Sequence, residues 1–224
     1  DMREVIACIV DDRRFFEVQP RYGAAILTGL AHIGGRAVAL VANNPARGAG
    51  GAVDAAAAIK AADFLEVVSN FGHPVIFLTD NPGMLAGTRA EREGILKWGG
   101  RMFQVERRMR NPKISVLMRK GFGFGLVSMA ATPCDRQTLT FALPSVNLAA
   151  MPAESGGAAA GLDAAQQRRA EQAQREGPYR LANALGVDEV IDPRELRNAL
   201  IGALTLVEGR EAGQRGLHGR LDAS

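Results

Sequence analysis

The chain switches repeatedly between two hydrophobic periods. In the first eleven residues Met2, Val5, Ile6 and Ile9 recur at helical spacing, which predicts a short amphipathic helix over Asp1 to Asp11. AILTGLAHI and RAVALVANN are β-rich runs separated by Gly34-Gly35, a two-residue hairpin signal. After an irregular NPARGAGG loop, Asp54 is placed to cap a long alanine-rich helix, AAAAIKAADFLEVVSNF, which Gly72 closes. PVIFLTD is a short apolar strand. Thr88 to Arg110 reads as one helix, and Thr88-Arg-Ala-Glu91 matches a capping box. KISVLMR is another apolar strand, running into the glycine-rich KGFGFG and the small apolar segment LVSMAA. TLTFALP, VNLAAM and VDEVI read as further strands, and Leu162 to Glu176 as a polar, solvent-facing helix. Asp192-Pro193 opens a last helix to about Glu208, because proline at a first helical position needs no N–H partner, and the tail after Gly209 reads as frayed.

Strands alternating with helices predict an α/β domain whose ligands bind at the C-terminal ends of strands. Two strand ends carry glycine-rich turns, in LTDNPGMLAG and in MRKGFGFG. With 224 residues, no internal repeat and no low-complexity linker, the chain reads as a single domain over 1–224. Its net charge is +3, from 27 lysines and arginines scattered among 24 acids, so a nucleic-acid partner lacks its basic stripe. Cys8 and Cys134 lie far apart without metal-ligand spacing, which argues against a zinc site or a disulfide scaffold and for a reducing cytoplasm. No apolar run reaches membrane-span length, and charges stand where a signal peptide needs an apolar core, so the expectation is a soluble cytoplasmic protein away from membranes.

Side-chain chemistry is sparse. There is no GxSxG and no P-loop, and GFGFG lacks the G-x-G-x-x-G spacing of a dinucleotide site. His32, His73 and His218 stand in no motif. Asp80, Glu91 and Asp192 read first as turn and cap residues, Trp98 and Phe103 as core, and Lys97, Arg101, Arg107, Arg108 and Arg110 as including a solvated face. What remains is the backbone: a glycine-rich strand-to-helix turn supplies N–H donors of the kind that stabilise an oxyanion, or it is only a turn.

The order of segments resembles the C-terminal half of the carboxyltransferase (beta) subunit of biotin-dependent acyl-CoA carboxylases of the propionyl-, acetyl- and methylcrotonyl-CoA carboxylase type. The resemblance rests on DMREVIACIVDDRRFFEVQPRYGAAILTGLAHIGGRAVALVANNP, then GGAVDAAAAIKAADF, DNPGMLAGT, EREG, PKISVLMRK with its glycine turn, and GVDEVIDPRELRNAL. It implies the crotonase (Clp protease-like) superfamily fold of repeated ββα units. It also implies a two-domain subunit whose acyl-CoA-binding N-terminal domain is absent from this chain, and an active site between protomers of a homo-oligomer. The partners implied are that N-terminal domain and a biotin carboxylase and biotin carrier subunit.

By position in the motif, the backbone N–H groups of Phe124 and Gly125 would hold the ureido oxygen of carboxybiotin as CO2 passes to the α-carbon of an acyl-CoA. Gly83, Met84, Gly87 and Gly123 would line the biotin side, Arg119 or Lys120 would contact the carboxylate, and Leu126 and Val127 would bear on substrate selection; no metal is implied. The chain departs from the family pattern at this turn. Gly123-Phe124-Gly125 stands where glycine-glycine-alanine is usual, Leu126 stands at a commonly tyrosine position and Val127 at a commonly acidic or aliphatic one, and MPAESGG departs from the commoner glycine-rich version of that loop. Two other classes remain: a biotin-independent hydratase, isomerase or thioesterase of the same superfamily, using Asp80, Glu91 or Glu154 as acid or base, and a non-catalytic scaffold domain.

Overall fold

The computed structural model describes residues 1–131, 137–151 and 153–221, so Cys134 lies outside the described residues. Eight strands form one mixed sheet: β1 (Phe15–Val18), β2 (Ile26–Ile33), β3 (Arg36–Asn43), β4 (Val75–Asn81), β5 (Lys113–Phe122), β6 (Leu139–Ala142), β7 (Asn147–Ala149) and β8 (Glu189–Val190). Their order is β1-β2-β3-β4-β5-β6-β8, with β7 pairing the C-terminal end of β5. β1, β2 and β3 are antiparallel, joined at Gly34-Gly35 as the hairpin signal predicts, and the pairs from β3 onward are parallel.

The central strands explain the layering. Every residue of β4 is buried, so both faces of the sheet must be covered, as in other parallel sheets. Ile76 and Leu78 point into a core shared with α1 (Met2–Ile9) and α9 (Leu196–Leu221), through Ile6, Leu200 and Leu204. Val75 and Phe77 point the other way, into a core closed by α2 (Ala55–Ser69) and α4 (Ile95–Arg108). Asp54 caps α2 as expected, accepting from Ala57 N at 2.7 Å. The alanines of α2 let it lie close on the strands, near enough for the fully buried Lys60 to donate to the Ile26 carbonyl at 2.8 Å. Burial pushes the Lys60 ammonium pKa down.

Several expectations needed correction. The helix expected over Thr88 to Arg110 is two helices, α3 (Thr88–Arg92) and α4, because Gly94 between them adopts a left-handed φ of 80°. The Thr88–Glu91 capping box does not form: Gly87, at φ 113°, is the N-cap, which leaves Thr88 already inside the helix. α2 ends at Ser69 with Asn70 as its C-cap, and Gly72 only turns the chain afterwards. The strand signals over TLTFALP, VNLAAM and VDEVI shrink to β6, β7 and β8. Pro193–Glu195 forms a 3₁₀ turn capped by Asp192, and α9 then continues to Leu221, past the expected end. Sequence periodicity missed the short edge strand β1 and the helix α8 (Gly177–Asn183), too brief to set a pattern, and α6 (Ala153–Ala160), whose sequence AESGGAAA is mostly alanine and glycine and sets no amphipathic one; the polar helix predicted before α8 is α7 (Ala164–Arg175).

Two polar clasps fasten the fold, one between distant parts of the chain and one between neighbouring elements. Asp11 accepts from the N–H groups of Gly34 and Gly35 at 3.0 and 2.7 Å and from Arg197 on α9 at 2.6 Å. Under the sheet, Lys113 at the start of β5 is ion-paired with Glu106 of α4, and both side chains are essentially inaccessible.

These clasps yield two predictions. Glu106→Ala strands a buried ammonium and is expected to destabilise the domain by about 3–5 kcal/mol in denaturant titrations. The Asp11 carboxyl is held at about 2, below its ordinary 3.8, chiefly by the Arg197 hydrogen bond and the Gly35 N–H. The native state therefore binds the proton less readily than the unfolded chain, and the Asp11 contribution is complete above pH 3.8 and lost as pH falls through about 2. Asp11→Asn removes that part of the acid dependence, visible as a shallower loss of stability between those pH values.

Candidate functional site

The two glycine-rich turns meet at the C-terminal ends of neighbouring parallel strands. β5 passes directly from Phe122 into the one-turn helix α5 (Gly123–Val127). No side chain caps α5, so its first N–H groups, those of Gly123, Phe124 and Gly125, point from its N-terminal end without a capping partner. β4 ends at Asn81 and continues through Pro82 into Gly83 and Met84.

The closest approach is between Gly125 and Gly83. A Cβ on Gly125 would lie 2.5 Å from Asn81 Oδ1, 2.6 Å from the Gly83 carbonyl carbon and 2.7 Å from Gly83 Cα. A Cβ there would force the Asn81 side chain or the Gly83 backbone to shift, so in this chain the close contact selects glycine at 125.

Side-chain amides fasten this contact. The Asn81 amide donates to Asn43 Oδ1 at 3.0 Å and to the Gly125 carbonyl at 3.3 Å, while Asn81 Oδ1 accepts from Gly83 N at 2.9 Å. Asn43 Oδ1, at the end of β3, also accepts from Asp80 N at 3.2 Å. Ser128 closes the far side by donating to the Gly125 carbonyl at 3.1 Å. Beyond Gly83 the loop is pinned to the segment before α2: Val53 N donates to the Gly83 carbonyl at 3.1 Å, and Leu85 N to the Val53 carbonyl at 2.9 Å.

The structure thus brings Gly83, Met84, Gly123, Phe124 and Gly125 together. Gly87 is exposed at the far end of the loop, as the cap of α3. Leu126 folds over Gly121 beside Leu148 and packs on a small apolar cluster, while Val127 is half-buried. Lys120 is half-buried opposite Asn147 of β7. Arg119 is half-exposed and holds the buried Asp80 carboxylate at 3.1 Å. Burial pushes the Asp80 carboxyl pKa up; Arg119 and the Lys120 backbone N–H pull it back.

Glu91 is exposed on α3, and the side chains of Glu154 and His218 lie outside the described residues. His32 is exposed on β2, and His73 lines a separate cavity with Arg36, Phe71 and Arg110. Among the described residues no three His, Cys, Asp or Glu side chains gather as a metal site, and no helix is long and apolar enough to cross a membrane. Sequence reasoning missed Asn43 and Asn81. Their only signal was an asparagine at the end of two successive apolar strands, VAN and LTDN, which also reads as ordinary turn chemistry.

The comparisons with known proteins fit this arrangement. The sequence model of the carboxyl transferase domain matches residues 1–220. The chain is 35% identical over 212 residues to the uncharacterized carboxylase YngE of Bacillus subtilis, covering 89% of this chain and 41% of that protein. It is 34% identical over 220 residues to the methylmalonyl-CoA carboxyltransferase 12S subunit of Propionibacterium freudenreichii subsp. shermanii, covering 92% and 41%. The solved transcarboxylase 12S structure, a hexamer crystallised with methylmalonyl-coenzyme A and methylmalonic acid bound, superposes with a TM-score of 0.86 at 32% identity over 93% of this chain and 42% of that one. The chain thus spans about two fifths of the length of these relatives. A family match along nearly the whole sequence, together with a shared crotonase-like α/β fold, means that the chain belongs to the carboxyl transferase domain family.

Proposed function

We propose that the chain supplies the biotin side of the carboxyl-transfer site of a biotin-dependent acyl-CoA carboxylase. The observation that carries this reading is the contact of Gly125 with Gly83, which holds an uncapped N-terminal helical turn rigidly at the end of β5. The requirement for biotin chemistry is met by these residues: a ureido oxygen needs fixed donors, and backbone N–H groups anchored by the Asn81 amides do not reorganise as charge builds on it. When bound as carboxybiotin on a carrier, biotin supplies the CO2 and accepts negative charge on its ureido oxygen.

Within this reading the N–H groups of Phe124 and Gly125 donate to that oxygen, and Gly83, Met84 and Gly123 line its surroundings. Gly87 borders the entrance. Arg119 or Lys120 steadies the carboxylate in transit, Arg119 by exchanging its Asp80 partner. Val127, at a position that is acidic or aliphatic in the family pattern and tunes acyl selection, favours a larger or more apolar acyl group, with Leu126 beside it. The acyl-CoA side belongs to an N-terminal carboxyltransferase domain, and the carboxybiotin to a biotin carboxylase and biotin carrier subunit. The site is completed between protomers of a homo-oligomer, and the assembly works in the cytoplasm.

A biotin-independent hydratase would need an acid or base at the turn. Asp80 is the nearest buried carboxylate by strand position, and its ion pair with Arg119 already occupies it. A scaffold without activity has only the altered turn in its favour.

The test uses the full-length protein as its host makes it. Free biotin or biocytin is expected to stimulate loss of CO2 from malonyl-CoA or methylmalonyl-CoA; no stimulation by either, in a sample containing the acyl-CoA-binding domain, would overturn the proposal. Gly125→Pro, which removes one of the two N–H donors, is expected to lower that stimulated rate about 100-fold, with little change in acyl-CoA KM.

A further inference from the structure

The side chain of Phe124 stands where the family pattern has none, and the structure gives it a seat. Its ring meets Phe103 of α4 edge-on, with centroids 5.6 Å apart at 73°, and keeps 38% of its surface exposed. The seat depends on Gly99, one helical turn before Phe103. A Cβ on Gly99 would lie 3.1 Å from Met84 Cε, 3.4 Å from Met84 Sδ and 3.5 Å from Phe124 Cε1. Gly99 is therefore the floor on which a thioether and an aromatic ring converge. Neighbouring Gly100, on the same helix, has nothing within 4 Å of its Cβ position.

Direction follows from helix geometry. In a helix each Cα–Cβ bond tilts toward the N-terminus, so a side chain in the first turn flanks whatever the first N–H groups hold. Phe124 is the second residue of α5, and Met84 follows the glycine that touches Gly125. One side of the 123–125 turn is thus walled by Phe124 and Met84, backed by Phe103.

We propose that this wall is a positioning surface for biotin: Phe124 and Met84 grip the apolar sulfur-containing ring while the neighbouring N–H groups take the ureido oxygen. The inference rests on the carboxyltransferase reading and deepens it. An apolar wall beside the donors removes water from one flank of the oxygen, which strengthens donors of fixed orientation. It also assigns Phe124 two separable tasks, a backbone one shared with any residue and a side-chain one that glycine at this position lacks.

The experiment measures biocytin binding to the full-length protein by calorimetry, alongside the KM for biocytin in the decarboxylation assay and a thermal melt. Phe124→Ala keeps the N–H and removes the ring; it is expected to weaken binding and raise the biocytin KM about tenfold, with the acyl-CoA KM unchanged. Gly99→Val fills the floor and is expected to weaken binding likewise, while Gly100→Val, carrying the same helix-propensity change, is expected to bind as the unsubstituted protein does. If Phe124→Ala or Gly99→Val melts early, Phe124→Leu provides the folded comparison, with an expected loss intermediate between phenylalanine and alanine. Biocytin affinity unaltered in folded Phe124→Ala or Phe124→Leu would overturn the wall and leave the carboxyltransferase reading standing. Absence of biocytin binding and stimulation in the unsubstituted protein would overturn both.

Discussion

The geometry of the site depends on a pair of buried asparagines. Asn43 and Asn81 end adjacent parallel strands, and their side chains replace the hydrogen bonds that a ladder would have supplied one residue further on. Through Asn81 the bridge reaches both turns, accepting from Gly83 N and donating to the Gly125 carbonyl. Both residues are completely inaccessible, so the hydrogen bonds of Asn81 and of Asn43 Oδ1 are made in a low-dielectric interior where leaving one unmade is expensive, while Asn43 Nδ2 is buried there without a partner. The strand ends, the 83–85 loop and α5 are thus hydrogen-bonded into one unit.

The rest of the fold supplies the rigidity that such a contact requires. β4 and β5 are covered on one face by α1 and α9 and on the other by α2 and α4, so neither strand end can tilt without repacking a core. The buried Lys113–Glu106 pair ties the start of β5 to α4, the helix that carries Gly99 and Phe103. The same helix thereby braces the strand that leads into α5 and seats the ring of Phe124. Asp11 does comparable work at the periphery, joining the hairpin to α9.

The proposed site, built from N–H groups, would explain why the sequence carries so little recognisable chemistry. Catalysis by fixed backbone dipoles places its constraints on glycines and on second residues such as Asn81, which look like turn formers. It also tolerates a change such as phenylalanine at 124, because any residue but proline presents the same N–H, provided the ring has somewhere to go. Gly99 provides that place, eighteen residues beyond the end of β4 in sequence and beside Met84 and Phe124 in space.

Local physics made much of the fold legible from the sequence. The alternation of apolar strands and amphipathic helices, the Gly34-Gly35 hairpin, Asp54 as a cap and the run KISVLMRK into a glycine turn each depend on residues within a few positions of one another. The order of motifs further identified the family. Short elements such as β1 and α8, and the break at Gly94, escaped because three to seven residues set no period and a single left-handed glycine can interrupt a good helical pattern. What only the tertiary structure decided is which strand ends meet: the Asn43–Asn81 bridge, the Gly83–Gly125 contact and the seat of Phe124 join residues 21 to 42 positions apart. No local rule couples residues at such separations; the packing of helices on both faces of the parallel sheet does.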